Sequence, residues 1–251
     1  RTAIAISSGQ YHTCAILDNG SVSCWGEGSN GQLGNGGTSD KTTPTLTNSL
    51  GTGRTAVALS SGSQHTCVIL DNGSVTCWGY GPNGQLGNGG TSMVITTPTL
   101  TSSLGTGRTA VAISSGFEHT CAILDNGSVS CWGDGESDQL GSGGTSENLT
   151  PTLTSSLGAG RTVALSERDL DGDGILNIFD STPYTPTTNP SNPLAQRNVP
   201  GFQEGSIYTN TTLSSSLEVD SHTCAILDNG DLKCWGSDVK GQLGDGGSNT
   251  N

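Results

Sequence analysis

Asp169-Leu170-Asp171-Gly172-Asp173-Gly174-Ile175-Leu176-Asn177-Ile178-Phe179-Asp180 has residue types and spacing that can do chemistry. Asp169, Asp171 and Asp173 stand at positions 1, 3 and 5 of a twelve-residue loop, and Gly174 falls at the sharp turn of position 6. Ile175 can offer its carbonyl at position 7, Asn177 a water-mediated contact at position 9, and Asp180 closes the loop at position 12. Calcium is a hard cation that takes six to eight oxygens. The pattern therefore predicts a Ca2+ site, with a weaker closure than a position-12 Glu would give. No flanking helices are evident, so a structural role is expected rather than a signalling one.

The second group is eight cysteines in four pairs: Cys14 and Cys24, Cys67 and Cys77, Cys121 and Cys131, Cys224 and Cys234. Partners are always ten residues apart and flank a Leu-Asp-Asn-Gly turn signal, a strong short-range hairpin cue. If the turn is a three-residue Asp-Asn-Gly loop with Gly20 left-handed, Ile16 faces Val22 and Cys14 faces Cys24. Alternation then makes the cysteines a non-hydrogen-bonded pair with Cα atoms about 4.5 Å apart, within disulfide range. Zinc sites bring C-x₂₋₄-C spacing, which is absent. Disulfides imply an oxidising compartment, secreted, cell-surface or periplasmic, and of these an extracellular or cell-surface location is expected.

Both features sit in a repetitive frame. His12-Thr13-Cys14-Ala15-Ile16-Leu17-Asp18-Asn19-Gly20-Ser21-Val22-Ser23-Cys24-Trp25-Gly26 recurs almost unchanged from His65 and His119, and in altered form from His222. Self-similarity at such a period means stacked units. In the second copy, 55–60, 65–70 and 74–78 read as strands, 79–87 as a glycine-rich loop and 97–101 as an edge strand that tolerates Pro98. Four short antiparallel strands per unit predict an all-β protein built of propeller blades. The expected organisation is three repeats over 1–165, a calcium-loop insert with a Pro-rich connector over 166–205, and a fourth repeat over 206–251. Strand character is expected to return around 207–213.

Ser-Gly-x-x-His-Thr, Asn-Gly-Ser-Val, Cys-Trp-Gly and Gly-Gln-Leu-Gly resemble the regulator of chromosome condensation repeat family. The resemblance implies a β-propeller, seven-bladed in that family, whereas four repeats are visible here. Both ends stop within a repeat, so a fragment of a longer protein, or blades supplied otherwise, is the expectation. The loop at 169–180 resembles thrombospondin type 3 and dockerin-like loops, which are common in secreted proteins.

Net charge is -13, with nine Lys plus Arg, so a nucleic-acid partner is not expected. No run of 18 apolar residues is present, so no membrane insertion is expected. Gly26-x-Gly28-x-x-Gly31 and Gly79-x-Gly81-x-x-Gly84 match a dinucleotide fingerprint, but polar turn residues follow where a helix is needed. His12, His65, His119 and His222 recur once per repeat and read as structural residues bonding a neighbouring loop. Trp25, Trp78, Trp132 and Trp235 read as packing residues. Asp134 and Glu136 read as solvated loop charges.

Copies differ just before each His, at 27–30, 80–83 and 134–138, and at 40–42, 93–96 and 147–149. Loops on a rigid frame commonly carry binding. Tyr11, Tyr80, Met93 and Phe117 are the candidate contact residues, as apolar groups amid polar loops. The expected function is a non-enzymatic extracellular scaffold that binds protein or glycan or builds a surface structure, with self-association as a further expectation. The alternatives are a loop-face enzyme inhibitor and a propeller lyase or hydrolase. Nucleotide exchange on a small GTPase, which the family suggests, fits poorly with disulfides.

Overall fold

The computed structural model describes residues 1–155 and 157, together with the backbone of three strands further on: Ile207–Thr209, His222–Ile226 and Leu232–Gly236. The expected calcium-loop residues 169–180 lie outside the described residues, as do the expected boundaries at 165 and 205 and the continuation of the strand to 213.

Every element among the described residues is a strand. The first blade runs β1 (Ala3–Ser8), β2 (His12–Leu17), β3 (Val22–Gly26) and β4 (Lys41–Leu46). The second runs β5 (Ala56–Ser61), β6 (His65–Leu70), β7 (Val75–Tyr80) and β8 (Val94–Leu100). The third runs β9 (Ala110–Ser115), β10 (His119–Leu124), β11 (Val129–Gly133) and β12 (Asn148–Leu153). Each is a four-stranded antiparallel sheet in chain order. β13 (Ile207–Thr209), β14 (His222–Ile226) and β15 (Leu232–Gly236) form a further sheet in the same order. The innermost strands pack in sequence, β1 on β5, β5 on β9 and β9 on β13.

The hairpin register is the one the turn dictates. Gly20 is left-handed at φ 72°, Leu17 N–H donates to Ser21 O, Ile16 pairs with Val22, and Cys14 pairs with Cys24. Disulfides close Cys14–Cys24, Cys67–Cys77 and Cys121–Cys131, each with Cα atoms 4.1 Å apart. In the fourth sheet Cys224 stands directly opposite Cys234 in the ladder.

Two boundaries in the second blade differ from the sequence expectation: β7 runs on to Tyr80, past the expected end at 78, and β8 starts earlier than 97. The outer strand of the second blade starts at Val94, and Val94 pairs with Tyr80. The variable segments at 40–42, 93–96 and 147–149 therefore run into β4, β8 and β12 instead of forming separate loops. A bulge between the Cys77 and Gly79 pairings lets the ladder continue past Trp78.

The core lies between blades, not within them. Cys14, Ile16, Val22, Cys24 and Leu33 of the first blade pack with Ala56, Val68, Leu70 and Trp78 of the second. The next layer repeats this one blade on: Cys67, Ile69, Val75, Cys77 and Leu86 pack with Ala110, Ala122, Leu124 and Trp132. Period-2 alternation sends each hairpin's cysteine face to the following blade and its Trp face to the preceding one.

Candidate functional site

The glycine-rich loop after the third strand of each blade is folded by its own glutamine. Gln32 Oε1 accepts from Asn30 N–H at 2.9 Å, Gln85 Oε1 from Asn83 N–H at 3.0 Å, and Gln139 Oε1 from Ser137 N–H at 2.8 Å. Leu33, Leu86 and Leu140 plug the loops into the core. Gly31 and Gly84 are left-handed at φ 75° and 78°, and in the third blade Asp138 takes that conformation at φ 59°. Aspartate is among the few side chains that accept it readily.

So folded, the loop aims the glutamine backbone carbonyl at the next blade. Gln32 O accepts from Trp78 Nε1 at 2.9 Å and from Thr66 Oγ1 at 3.1 Å. Thr66 Oγ1 also meets His12 Nε2 at 2.8 Å. Since the threonine proton goes to the carbonyl, the imidazole proton sits on Nε2 and donates to Thr66. Gln85 O, Trp132 Nε1, Thr120 Oγ1 and His65 Nε2 repeat the lock at 3.0, 3.1 and 2.9 Å. Burial without a compensating acid lowers His12 to a pKa of about 4. Burial lowers His65 to about 3, helped by its neighbours His12 and His119. His12, His65, Trp78 and Trp132 are thus structural, as the repetition implied, but the histidines bond a threonine on the neighbouring blade's second strand and not a loop. Their partners, a threonine and a carbonyl in different repeats, had no signal in any single copy.

Glycine is required beneath each ring: a Cβ at Gly62 would fall 2.2 Å from His65 Cε1 and 2.6 Å from Gly116 O. This accounts for Ser-Gly-x-x-His. The glycines of the apparent dinucleotide fingerprint serve the loop, and no helix occurs among the described residues.

Above these locks the loops diverge. Tyr11 and Met93 are exposed, at 62% and 65%. Tyr80 and Phe117 are half-buried, which corrects the expectation of exposure: Tyr80 ends β7 in the ladder and Phe117 sits in the β9–β10 turn. Val94, also exposed, extends the Met93 patch and escaped the sequence reading. At the junction of the second and third blades the surface is acidic. A cavity of about 520 Å³ is lined by Asn83, Glu118, Asp134, Glu136, Ser137 and Glu147, among others. Burial raises Glu118, opposed by the hydrogen bond from Asn83 Nδ2 (2.6 Å) and reinforced by Asp134 and Glu136. Asp134 is not a free loop charge: its oxygens accept from Glu136 N–H at 3.1 Å and Gln139 Nε2 at 2.9 Å. No group of three or more His, Cys, Asp or Glu is arranged to hold a metal among the described residues. Nor is any helix there long and apolar enough to cross a membrane.

Family models of the regulator of chromosome condensation (RCC1) repeat match residues 3–32, 56–85, 110–139 and 219–242, and, for a second model, 19–69 and 72–123. Together they cover more than half of the chain. The chain belongs to the RCC1 repeat family. Among curated proteins it is similar to the ultraviolet-B receptor UVR8 of Arabidopsis thaliana, 34% identical over 152 residues, which is 60% of this chain and 34% of that protein. It is also similar to the human E3 ubiquitin-protein ligase HERC2, 27% identical over 256 residues, 99% of this chain but 5% of that one. The chain thus spans about a third or less of these relatives' length. Human WBSCR16 shares the fold, with a TM-score of 0.68 at 19% identity over 100% of this chain and 51% of its own. So does yeast RCC1 (Prp20), solved bound to Kap60, with a TM-score of 0.55 at 20% identity over 62% of this chain and 38% of that one. The RCC1 β-propeller blade is therefore the unit of this molecule.

Proposed function

We infer that this RCC1-repeat chain is a non-enzymatic scaffold, secreted or at the cell surface, whose loop face binds a protein or glycan partner. One observation carries the reading. The locks between blades are built alike, whereas the loops above them carry an apolar patch at Met93 and Val94 and an acidic cavity at Glu118 and Glu147. Rigid frames with divergent loops are where binding concentrates. Protein partnership is supported by yeast RCC1, solved with Kap60. The disulfides favour an oxidising compartment. The spacing of Asp169, Asp171, Asp173, Ile175, Asn177 and Asp180 supports a structural calcium ion between the third and fourth repeats.

A partner screen on the full chain, with and without chelator, tests this. Replacing 79–84 by the matching first-blade loop, 26–31, abolishes binding if the second-blade loop carries the site. Unchanged binding removes it. A lyase or hydrolase is the second reading, since Glu118 is a carboxyl with a raised pKa in a cleft. Glu118→Gln separates the two: it leaves a scaffold's architecture intact and abolishes turnover of any glycan or peptide substrate found.

A further inference from the structure

Among the described residues the chain contains four stretches of Asn-x-Ser/Thr, the acceptor pattern for a nitrogen-linked glycan: Asn19-Gly20-Ser21, Asn72-Gly73-Ser74, Asn126-Gly127-Ser128 and Asn148-Leu149-Thr150. The first three fall at one place in successive blades, the tip of the disulfide-closed hairpin. Asn19, Asn72 and Asn126 are all exposed. In each, the side-chain Oδ1 accepts from the backbone N–H of the serine two residues on, at 3.3, 3.1 and 3.1 Å. The amide Nδ2, the atom that would carry a sugar, is engaged by no hydrogen bond. The turn needs Asn-Gly and then a backbone N–H, which any residue but proline supplies. Serine at that position is therefore not demanded by the hairpin, and the fourth repeat has Asn229-Gly230-Asp231 in sequence instead.

We propose, on the secreted or cell-surface reading above, that Asn19, Asn72 and Asn126 are acceptors for N-linked glycans, one per blade, and that Asn148 is not. The donor is an oligosaccharide carried on a lipid pyrophosphate. Asparagine Nδ2 forms the bond to the sugar's C1 as the bond from C1 to the phosphate oxygen breaks. The lipid pyrophosphate leaves, one Nδ2 proton is lost to solvent, and nothing is oxidised or reduced. Topology keeps these sugars away from the divergent loops. His12 pairs with Gly26 at one end of the first hairpin and the turn closes the other, so a six-residue strand, about 20 Å long, separates the tip from the loop that follows β3. His65 with Gly79 and His119 with Gly133 repeat the arrangement. The tips lie at the end of each blade where the outer strand finishes in an exposed leucine: Leu46, Leu100 and Leu153, at 57%, 59% and 57%. A glycan is bulky and solubilising, and there it covers apolar surface without touching the loop face. Asn148 differs in every respect. It stands in the ladder opposite Gly133, at the loop end of its blade, and its Nδ2 is buried. A sugar on it would displace β12.

Secretion of the full chain from eukaryotic cells tests this, with enzymatic release of N-glycans in heavy-oxygen water, peptide mass mapping and a count of free thiols. The expected result is an isotope-labelled aspartate at positions 19, 72 and 126 and an unmodified asparagine at 148. Ser21→Ala, Ser74→Ala and Ser128→Ala keep the backbone N–H that each turn uses. Each should remove the glycan at its own hairpin and leave circular dichroism unchanged. A chain secreted with its cysteines paired but bare at any of the three asparagines overturns the proposal and leaves the secreted reading standing. Glycan at 148, or glycans that persist in the serine variants, overturn it equally. A chain retained in the cell with free thiols overturns the secreted reading, and the proposal falls with it.

Discussion

Trp25 and Trp78 occupy the same place in consecutive repeats and live in different surroundings. Trp78 is fully buried, its ring against Gly34 and its Nε1–H on Gln32 O. Trp25 is half-buried. The hairpins that carry them are alike in register, turn and disulfide. What differs is that, among the described residues, a preceding blade packs on Trp78 and none packs on Trp25. A blade of this protein is therefore covalently organised on its own but gains its core from the joint. Stability here resides in nearest-neighbour interfaces, as in other quasi-one-dimensional repeats.

Acid should break this equivalence most. His12 and His65 are held near pKa 4 and 3 by burial, against an ordinary 6.5. The unfolded chain takes up protons near 6.5 that the folded joints refuse. Stability is therefore full above pH 6.5 and falls as pH drops toward 4, by about 3 kcal/mol per pH unit for the two groups together. Urea midpoints at pH 7, 6, 5 and 4 measure it, and a flat profile would show that the joints tolerate imidazolium.

The tryptophans sharpen the comparison directly. Trp78→Ala opens a cavity in a joint and leaves Gln32 O with Thr66 as its remaining lock partner, a loss of about 3–5 kcal/mol. Trp25→Ala, at a half-buried position, should cost well under half of that. Paired chemical denaturation of the two variants reads the difference, and equal losses would refute a joint-centred core.

The disulfides should show the opposite behaviour. Cys14–Cys24 and Cys67–Cys77 both lie within a single blade, so replacing either pair by alanines should cost about the same, about 2–3 kcal/mol on the chain-entropy model. A large inequality would mean that the bridge acts through the joint.

The hairpins were legible in sequence because everything that determines them is local. Asp-Asn-Gly sets the turn, the turn sets the register, and the register brings Cys14 to Cys24. The joints were not, because they connect residues with no local relation: Thr66 to Gln32 across 34 positions, Trp78 to Gln32 across 46. Repetition revealed that His12 and Trp25 were structural without saying what they touched. The exposure of Tyr80 and Phe117 was misread for a related reason. Hydropathy reports the character of a side chain, whereas its burial depends on the strand or turn that arrives opposite, as Val94 does for Tyr80.

Because each joint draws one half from one repeat and the other half from the next, repeat number can change only in whole units. Duplicating or deleting a full period in the gene regenerates every seam, whereas a cut out of phase would destroy one. The same logic marks where foreign sequence can be spliced in. The acidic loop and its proline-rich follower fall after the Asp138-Gln139-Leu140-Gly141 loop of the third unit and ahead of His222, so they lie between units and interrupt neither unit's own contribution to a seam.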